Sequence, residues 1–338
     1  MTKKTLFVHI GAHKTATTFL QSSLSRNEKA LNELSLIYPK AGRIHEAHFK
    51  LGWQIKKMAA HQPLTGAGDW GNVIEEINAS KAQAGVVSSE ELGIYCDPNK
   101  LSDLKKNFDV RIICYLRSPD GFMQSFYNQF VKDFSTRETR TLNTYIAEEE
   151  LGFLNTRQWM SPWIDVFGAK AISLRLFDDV VRAEGGILAD FLKVCGAKKI
   201  PTFNPPQVSV VHKVSLPPDL LEYLRRANAG LAESEGHYQF VVRLLGLAEK
   251  HGDALQTTRA GILSLKARQT LRKRYAGPNT WIANALLNSN ENPFLWKDAP
   301  PPPSDFDRRP EEADAATLGR IAALIQNNIE KIPKTAVG

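Results

Sequence analysis

HIGAHKTATTFLQ, residues 9–21, follows the apolar run TLFVHI (5–10) and precedes a stretch with helical patterning, so it reads as the turn between a strand and a helix. Lys14 and three threonines, Thr15, Thr17 and Thr18, stand at that turn. Backbone amides at a helix start, the helix dipole, the hydroxyls and the ammonium together favour a phosphate-like anion. The competing reading is a solvated Lys14 beside a Thr17 that only caps the helix. The nucleoside-triphosphate loop requires Gly, four spacers, Gly, Lys and Ser or Thr. Here Lys14 comes three residues after Gly11 and no glycine precedes it directly.

Further apolar runs follow the same alternation. GVVSS (85–89), VRIICYL (110–116) and AISLRLF (171–177) are strand candidates. TTFLQSSLSRNEKALNEL (17–34), PDGFMQSFYNQFVKDF (119–134), LPPDLLEYLRRANAGLAE (216–233) and RAGILSLKARQTLRKRY (259–275) read as helices. Strands alternating with helices predict an α/β fold with a mainly parallel central sheet covered by helices. The proline run at 300–303 reads as a spacer before a final helix near 311–331, which divides the chain into a domain over 1–298 and an extension over 299–338.

Composition fits a folded protein: 338 residues, 43% hydrophobic and 23% charged. Lys and Arg number 43 against 36 Asp and Glu, a net +7 that favours anionic ligands without nominating nucleic acid. Cys96, Cys114 and Cys195 are odd in number and far apart, which suggests neither a disulfide framework nor a CxxC metal site and fits a reducing cytoplasm. The apolar run after MTKK is too short for a signal-peptide core, and no stretch is long enough to span a bilayer; peripheral membrane contact and the oligomeric state stay open.

A second motif supports the anion reading. In CYLRSPDGFMQSFYNQFVK, a strand ends at Arg117, Pro119 starts a helix, and Ser125 falls eight positions after the arginine. A guanidinium fork and a hydroxyl suit a phosphate monoester. Taken alone, Arg117 is equally a surface arginine at a strand end.

Together KTATT (14–18) and Arg117 with Ser125 resemble the donor motifs of sulfotransferases that use 3′-phosphoadenosine 5′-phosphosulfate, most closely the bacterial carbohydrate type. The similarity runs over residues 5 to 290 and includes WIDVFGAKAISLRLFDDV and GPNTWIANAL. It implies a P-loop-like sulfotransferase fold and a metal-free site. Gly11, His13, Lys14, Thr15, Ala16, Thr17 and Thr18 then line the 5′-phosphosulfate, and Arg117 and Ser125 hold the 3′-phosphate. The family's loop carries a glycine where this chain has Ala16, and a positive backbone angle there strains alanine.

The resemblance also assigns the chemistry. Lys14 stabilises the leaving phosphate, and a Glu after the second strand, followed five residues later by an aromatic, accepts the acceptor's proton. Glu90 and Tyr95, in a loop after GVVSS, have that spacing, with Glu91 the alternative in a shifted register. The competing reading is a solvated acidic pair. His45 and His48 share helical spacing, and such a pair is more often ordinary packing than a site; His48 is retained as an acceptor contact, and His9 is read as strand packing. Arg268, Arg272, Lys273 and Arg274 offer a late basic segment for the 3′-phosphate, although the family's Arg-Lys-Gly form is missing and a solvated helix face explains most of those charges. Two rival functions remain, an ATP-dependent P-loop kinase and a non-catalytic nucleotide- or glycan-binding module.

Overall fold

The computed structural model describes residues 3–56, 68–204, 215–230, 235–255, 262–295 and 315–328. They form two compact units. The first comprises Met1–Ser118, Gly152–Val208 and Tyr275–Phe294; the second comprises Pro119–Leu151, Ser209–Arg274 and Leu295–Gly338.

The first unit is built on five parallel strands: β1 (Lys4–His9), β2 (Leu36–Ile37), β3 (Ala84–Ser88), β4 (Phe108–Leu116) and β5 (Ile172–Leu176), in the order β2-β3-β1-β4-β5. β1 lies in the middle, with Val8 opposite Val87 on one side and Ile112 on the other. β4 shows why the sheet is legible. Its first four residues alternate between buried and exposed, with Asp109 and Arg111 ion-paired outside at 3.0 Å, and from Ile112 to Leu116 every residue is buried. A parallel strand covered on both faces requires that continuous apolar run.

Helices Thr17–Arg26 and Gly186–Val194 help to cover one face, where Leu20, Leu24, Phe191 and Leu192 pack with Phe7, Ile113 and Tyr115. Trp70, Val73 and Ile77 of helix Asp69–Ala79 are also fully buried. Helices Thr156–Phe167 and Ala276–Leu287 complete the unit, and the Trp163 indole donates to the Gly93 carbonyl at 3.4 Å. The architecture is α/β, as the alternation of strands and helices predicts.

Three local expectations differ from the structure. The patterned stretch 17–34 is two helices, Thr17–Arg26 and Glu28–Glu33. They break at Asn27, whose side chain donates to the Ser23 carbonyl at 2.7 Å and accepts from the Asn204 amide at 2.8 Å. Asparagine competes for backbone bonds in this way and ends helices. β2 is an additional strand, held at the sheet edge by two residues paired with Ala84 and Gly85. His45 and His48 do not share a helix: His45 has a positive φ of 55°, and His48 precedes the helix Phe49–Gln54.

The second unit is helical among the described residues, with Pro119–Lys132, Leu142–Glu148, Pro218–Asn228, Glu235–Leu255, Leu265–Arg274 and Ala315–Asn328. The last corresponds to the helix expected near 311–331; the proline run and the 298–299 boundary lie outside the described residues. Asp120, in the first turn of Pro119–Lys132, is 1% exposed and holds two guanidinium groups. Arg268 donates to it at 3.1 Å, and Arg272 donates at 2.8 and 3.2 Å. Arg268 also donates to Gln124, and Arg274 donates to the carbonyls of Ile146, Glu149 and Glu150. These three arginines of the expected basic segment therefore make internal bonds of the second unit, which corrects their reading as a solvated face.

No helix among the described residues is long and apolar enough to cross a membrane. All three cysteines are buried thiols.

Removing one member of a buried ion cluster leaves its partners desolvated without compensation. Asp120→Ala is expected to destabilise the protein by about 3–5 kcal/mol, read as a lower urea midpoint with an unchanged slope. A loss below about 0.5 kcal/mol, the scale of a surface change, would show that the cluster holds nothing together.

Candidate functional site

The site grows from the turn after β1. Gly11 has φ 34°, Lys14 67° and Ala16 55°, so three residues of one short turn occupy left-handed backbone. At Gly11, the Cβ of any other residue would sit 2.7 Å from the Thr17 methyl. Thr15 is fully buried, and its hydroxyl donates to the Ala12 carbonyl at 2.7 Å. This bond closes the turn on itself. It also corrects the expectation that the Thr15 hydroxyl faces a ligand.

Ala16 occupies the position before helix Thr17–Arg26, with φ 55° and ψ 29°. A methyl group cannot accept from the amides of the first turn, so no side chain at that position caps them. Thr17 lies inside the helix rather than at its cap and is buried, whereas Thr18 is half-buried.

Glu90 reaches the same place from β3. Ser89 donates its amide to the His9 carbonyl at 3.1 Å, bringing the end of β3 beside the end of β1. Residues Glu90–Leu92 then form a 3₁₀ turn within the loop expected after GVVSS, with Ser89 Oγ accepting from the Glu91 amide at 3.3 Å. Gly93 lets this turn press on the first one, because a Cβ there would lie 2.8 Å from the carbonyl oxygens of Ile10 and Gly11.

The two adjacent carboxylates differ in their surroundings. Glu91 pairs with Lys56 at 3.4 Å. Glu90 accepts from Gln21 Nε2 at 2.8 Å, and its charge acts on the loop. Burial pushes the Lys14 ammonium below the ordinary lysine range, while the charge of Glu90 raises it and that of Arg117 lowers it. His13 is likewise held below the usual imidazole range by burial, opposed by Glu90 and Glu91 and reinforced by Lys14. Its ring meets Tyr95 edge-on at 5.9 Å, and Tyr95 is 43% exposed.

Arg117, at the end of β4, donates to the Lys14 carbonyl at 3.3 Å. It also faces Asp178 at 3.7 Å, and its guanidinium lies over the Phe177 ring at 5.4 Å. Lys14, His13, Glu90 and Arg117 are thus gathered in the first unit. Ser125 lies on Pro119–Lys132 in the second and is half-buried.

His48 does not contribute to the cluster. It is fully buried, the Ser88 amide donates to its Nδ1 at 3.2 Å, and its protonated Nε2 therefore donates to the Pro39 carbonyl at 3.0 Å. With both nitrogens held by backbone, it is a packing residue and not an acceptor contact. His9 is also fully buried, with Nδ1 2.8 Å from Ser88 Oγ, as strand packing predicts. Sequence reasoning missed Gln21, whose only signal is a polar residue one turn after Thr17.

No family model matches the chain. It is 27% identical over 180 residues to an uncharacterized protein of Archaeoglobus fulgidus, a match covering 51% of this chain and 46% of that one. The chain thus spans about half the length of the curated relative it matches. It is also similar to the crystal structure of a sulfotransferase from Alicyclobacillus acidocaldarius, with 20% identity, 70% of this chain and 94% of that one covered, and a TM-score of 0.39. Fold and site define the chain as an α/β protein with a parallel sheet and a strongly bent strand-to-helix turn set against a carboxylate.

Left-handed backbone costs a residue with a Cβ roughly 1–2 kcal/mol, and glycine's extra chain entropy returns roughly 0.5–1 kcal/mol of that. Ala16→Gly is therefore expected to stabilise the protein by about 0.5–1 kcal/mol in urea denaturation, and Ala16→Val to destabilise it. A destabilising glycine would mean that the turn holds no strain at this position.

Burial lowers both His9 and His48 to about 3 from an ordinary 6.5. Between those values the unfolded chain binds protons that the folded chain refuses, so stability is full above 6.5 and falls as pH drops toward 3. At pH 5 each ring removes roughly 2 kcal/mol. Urea titrations at pH 7 and pH 5 should show that loss, and His48→Gln should reduce it.

Proposed function

We propose that this protein is a sulfotransferase, moving a sulfuryl group from 3′-phosphoadenosine 5′-phosphosulfate to a hydroxyl of a carbohydrate or glycolipid acceptor. The observation that carries the reading is the juxtaposition of Lys14 and Glu90, an ammonium and a carboxylate delivered by adjacent strand ends to one turn whose helix amides have no side-chain cap.

The residues present fit an anionic donor. First-turn amides and the helix dipole receive an anion, Lys14 supplies charge, and the left-handed backbone at Lys14 and Ala16 shapes the turn. Arg117 fits the 3′-phosphate: it is planar, anchored to the loop through the Lys14 carbonyl, and already faces a carboxylate, Asp178. The family pattern pairs it with Ser125.

In the reaction the acceptor oxygen forms a bond to sulfur while the bond from sulfur to the bridging phosphate oxygen breaks. Glu90 takes the acceptor's proton, and Lys14 offsets the charge that develops on the departing oxygen. Glu90 suits the base role better than Glu91, which is ion-paired with Lys56. His13 and Tyr95 form a polar and aromatic wall beside it, suited to a sugar ring. The three buried thiols suit a reducing compartment, and we place the protein in the cytoplasm.

A ligand that binds the native state raises its melting temperature. Adenosine 3′,5′-bisphosphate should therefore stabilise the protein, and ATP with magnesium should not; the opposite result would favour a kinase. Glu90→Gln should retain that binding while turnover falls by roughly two to four orders of magnitude, and Lys14→Ala should weaken both. Near-normal turnover by Glu90→Gln would remove Glu90 as base.

A further inference from the structure

We propose that Gln21 is the positioning residue for Glu90, holding the carboxylate in the orientation in which it receives the acceptor's proton. The inference rests on the reading of Glu90 as the base, and it names a part of the site that neither the family motifs nor the sequence pattern assigns.

Gln21 is 2% exposed, and burying a primary amide is costly unless both of its N–H groups find acceptors. Both do. One donates to Glu90 Oε2 at 2.8 Å, and the other is directed at Ser88 Oγ at 3.4 Å. Ser88 Oγ in turn lies 2.8 Å from His9 Nδ1, so the amide belongs to a buried chain running from β1 through β3 to the carboxylate. An ionised carboxylate only accepts hydrogen bonds, so the nitrogen of the amide must face Glu90. The orientation of Gln21 is thereby fixed by its partners.

The two elements differ in rigidity. Glu90 begins a three-residue 3₁₀ turn, and its side chain has several rotatable bonds. Gln21 sits one turn into a ten-residue helix whose Leu20 and Leu24 are fully buried. The helix is the firm partner. A base has to be held close to its productive geometry, and a small displacement lowers the rate sharply even when the group itself is intact. Gln21 also starts four residues after Thr17, so the helix that presents uncapped amides at its first turn steadies the base at its second.

The test uses the full chain. Gln21→Met keeps volume and helix propensity while removing both donors, and Gln21→Asn keeps the amide but shortens its reach, which guards against a variant that fails to fold. With N-acetylglucosamine oligomers as acceptor, kcat is expected to fall by roughly tenfold or more, with unchanged affinity for adenosine 3′,5′-bisphosphate. In a Glu90→Gln background, Gln21→Met should produce no further loss, because a residue acting through Glu90 has nothing left to position. Equal losses in both backgrounds would overturn the proposal. A second reading does not depend on activity: in protein labelled with ¹³C-glutamate, the Glu90 carboxyl resonance, assigned by its disappearance in Glu90→Gln, should move in Gln21→Met. An unmoved resonance overturns the proposal by itself, whereas absence of wild-type turnover together with a moved resonance overturns the sulfotransferase reading and leaves Gln21 as the residue that holds Glu90.

Discussion

The Thr15 hydroxyl donating to the Ala12 carbonyl is the bond on which the site depends. It closes a turn in which Gly11, Lys14 and Ala16 all have positive φ, a conformation that residues with a Cβ adopt only when their surroundings force it. Forcing comes from both sides. Ile10 is tied to β4 through the Ile113 carbonyl, and Leu20 begins the regular bonding of the helix by donating to the Ala16 carbonyl. Between those fixed points the chain must reverse within a few residues, and the fully buried Thr15 anchors the reversal from inside. Its outer residues, His13 and Lys14, are consequently placed next to Glu90 rather than in bulk water.

The sheet order supplies the other half of the arrangement. With β1 between β3 and β4, the turn after β1 is flanked by the segment carrying Glu90 and by the strand ending at Arg117. Ligand sites in open parallel sheets gather at these carboxyl ends because the loops there are free to vary above a rigid core. The core is rigid because Leu6, Val8, Val86, Val87, Ile112 and Ile113 are entirely removed from water. Charge is then balanced locally. Partial burial disfavours the ammonium of Lys14, and the neighbouring carboxylate of Glu90 favours it.

Much of this was legible in the sequence because buried parallel strands carry apolar runs: Leu6–Val8 in β1, Val86 and Val87 in β3 and Ile112–Leu116 in β4 are such runs, while β5 alternates. The turn was legible from the apolar run before it and the helical pattern after it, whereas the choice of Glu90 over Glu91 rested on the resemblance. Other features depend on contacts that no local pattern encodes. β2 is two residues long, too short for any periodicity to register. Asn27 breaks a helix through an asparagine 177 positions away, and Arg268 and Arg272 turn inward because Asp120, 148 and 152 positions away, is buried beside them. The helical spacing that His48 shares with His45 is not realised in the fold, where the two stand outside any common helix. Gln21 carried no signal beyond a polar residue one turn after Thr17, since its meaning lies in Ser88 and Glu90, 67 and 69 positions further along.

The adjacent carboxylates Glu90 and Glu91 show how the fold gives consecutive positions different surroundings. A 3₁₀ turn rotates successive side chains by about 120°, so neighbours cannot face the same surroundings. Glu91 is directed to helix Phe49–Gln54, where Gly52 lies so close that a Cβ would sit 2.6 Å from the Glu91 Cβ and where Lys56 just beyond neutralises its charge. Its carbonyl also accepts from the buried thiol of Cys96 at 3.0 Å. Glu91 therefore fastens the turn to the body of the unit. Glu90 is left facing the loop, with a neutral amide rather than a cation as its direct hydrogen-bond partner. An amide partner orients a carboxylate without cancelling its charge, which is what the base role proposed for Glu90 requires.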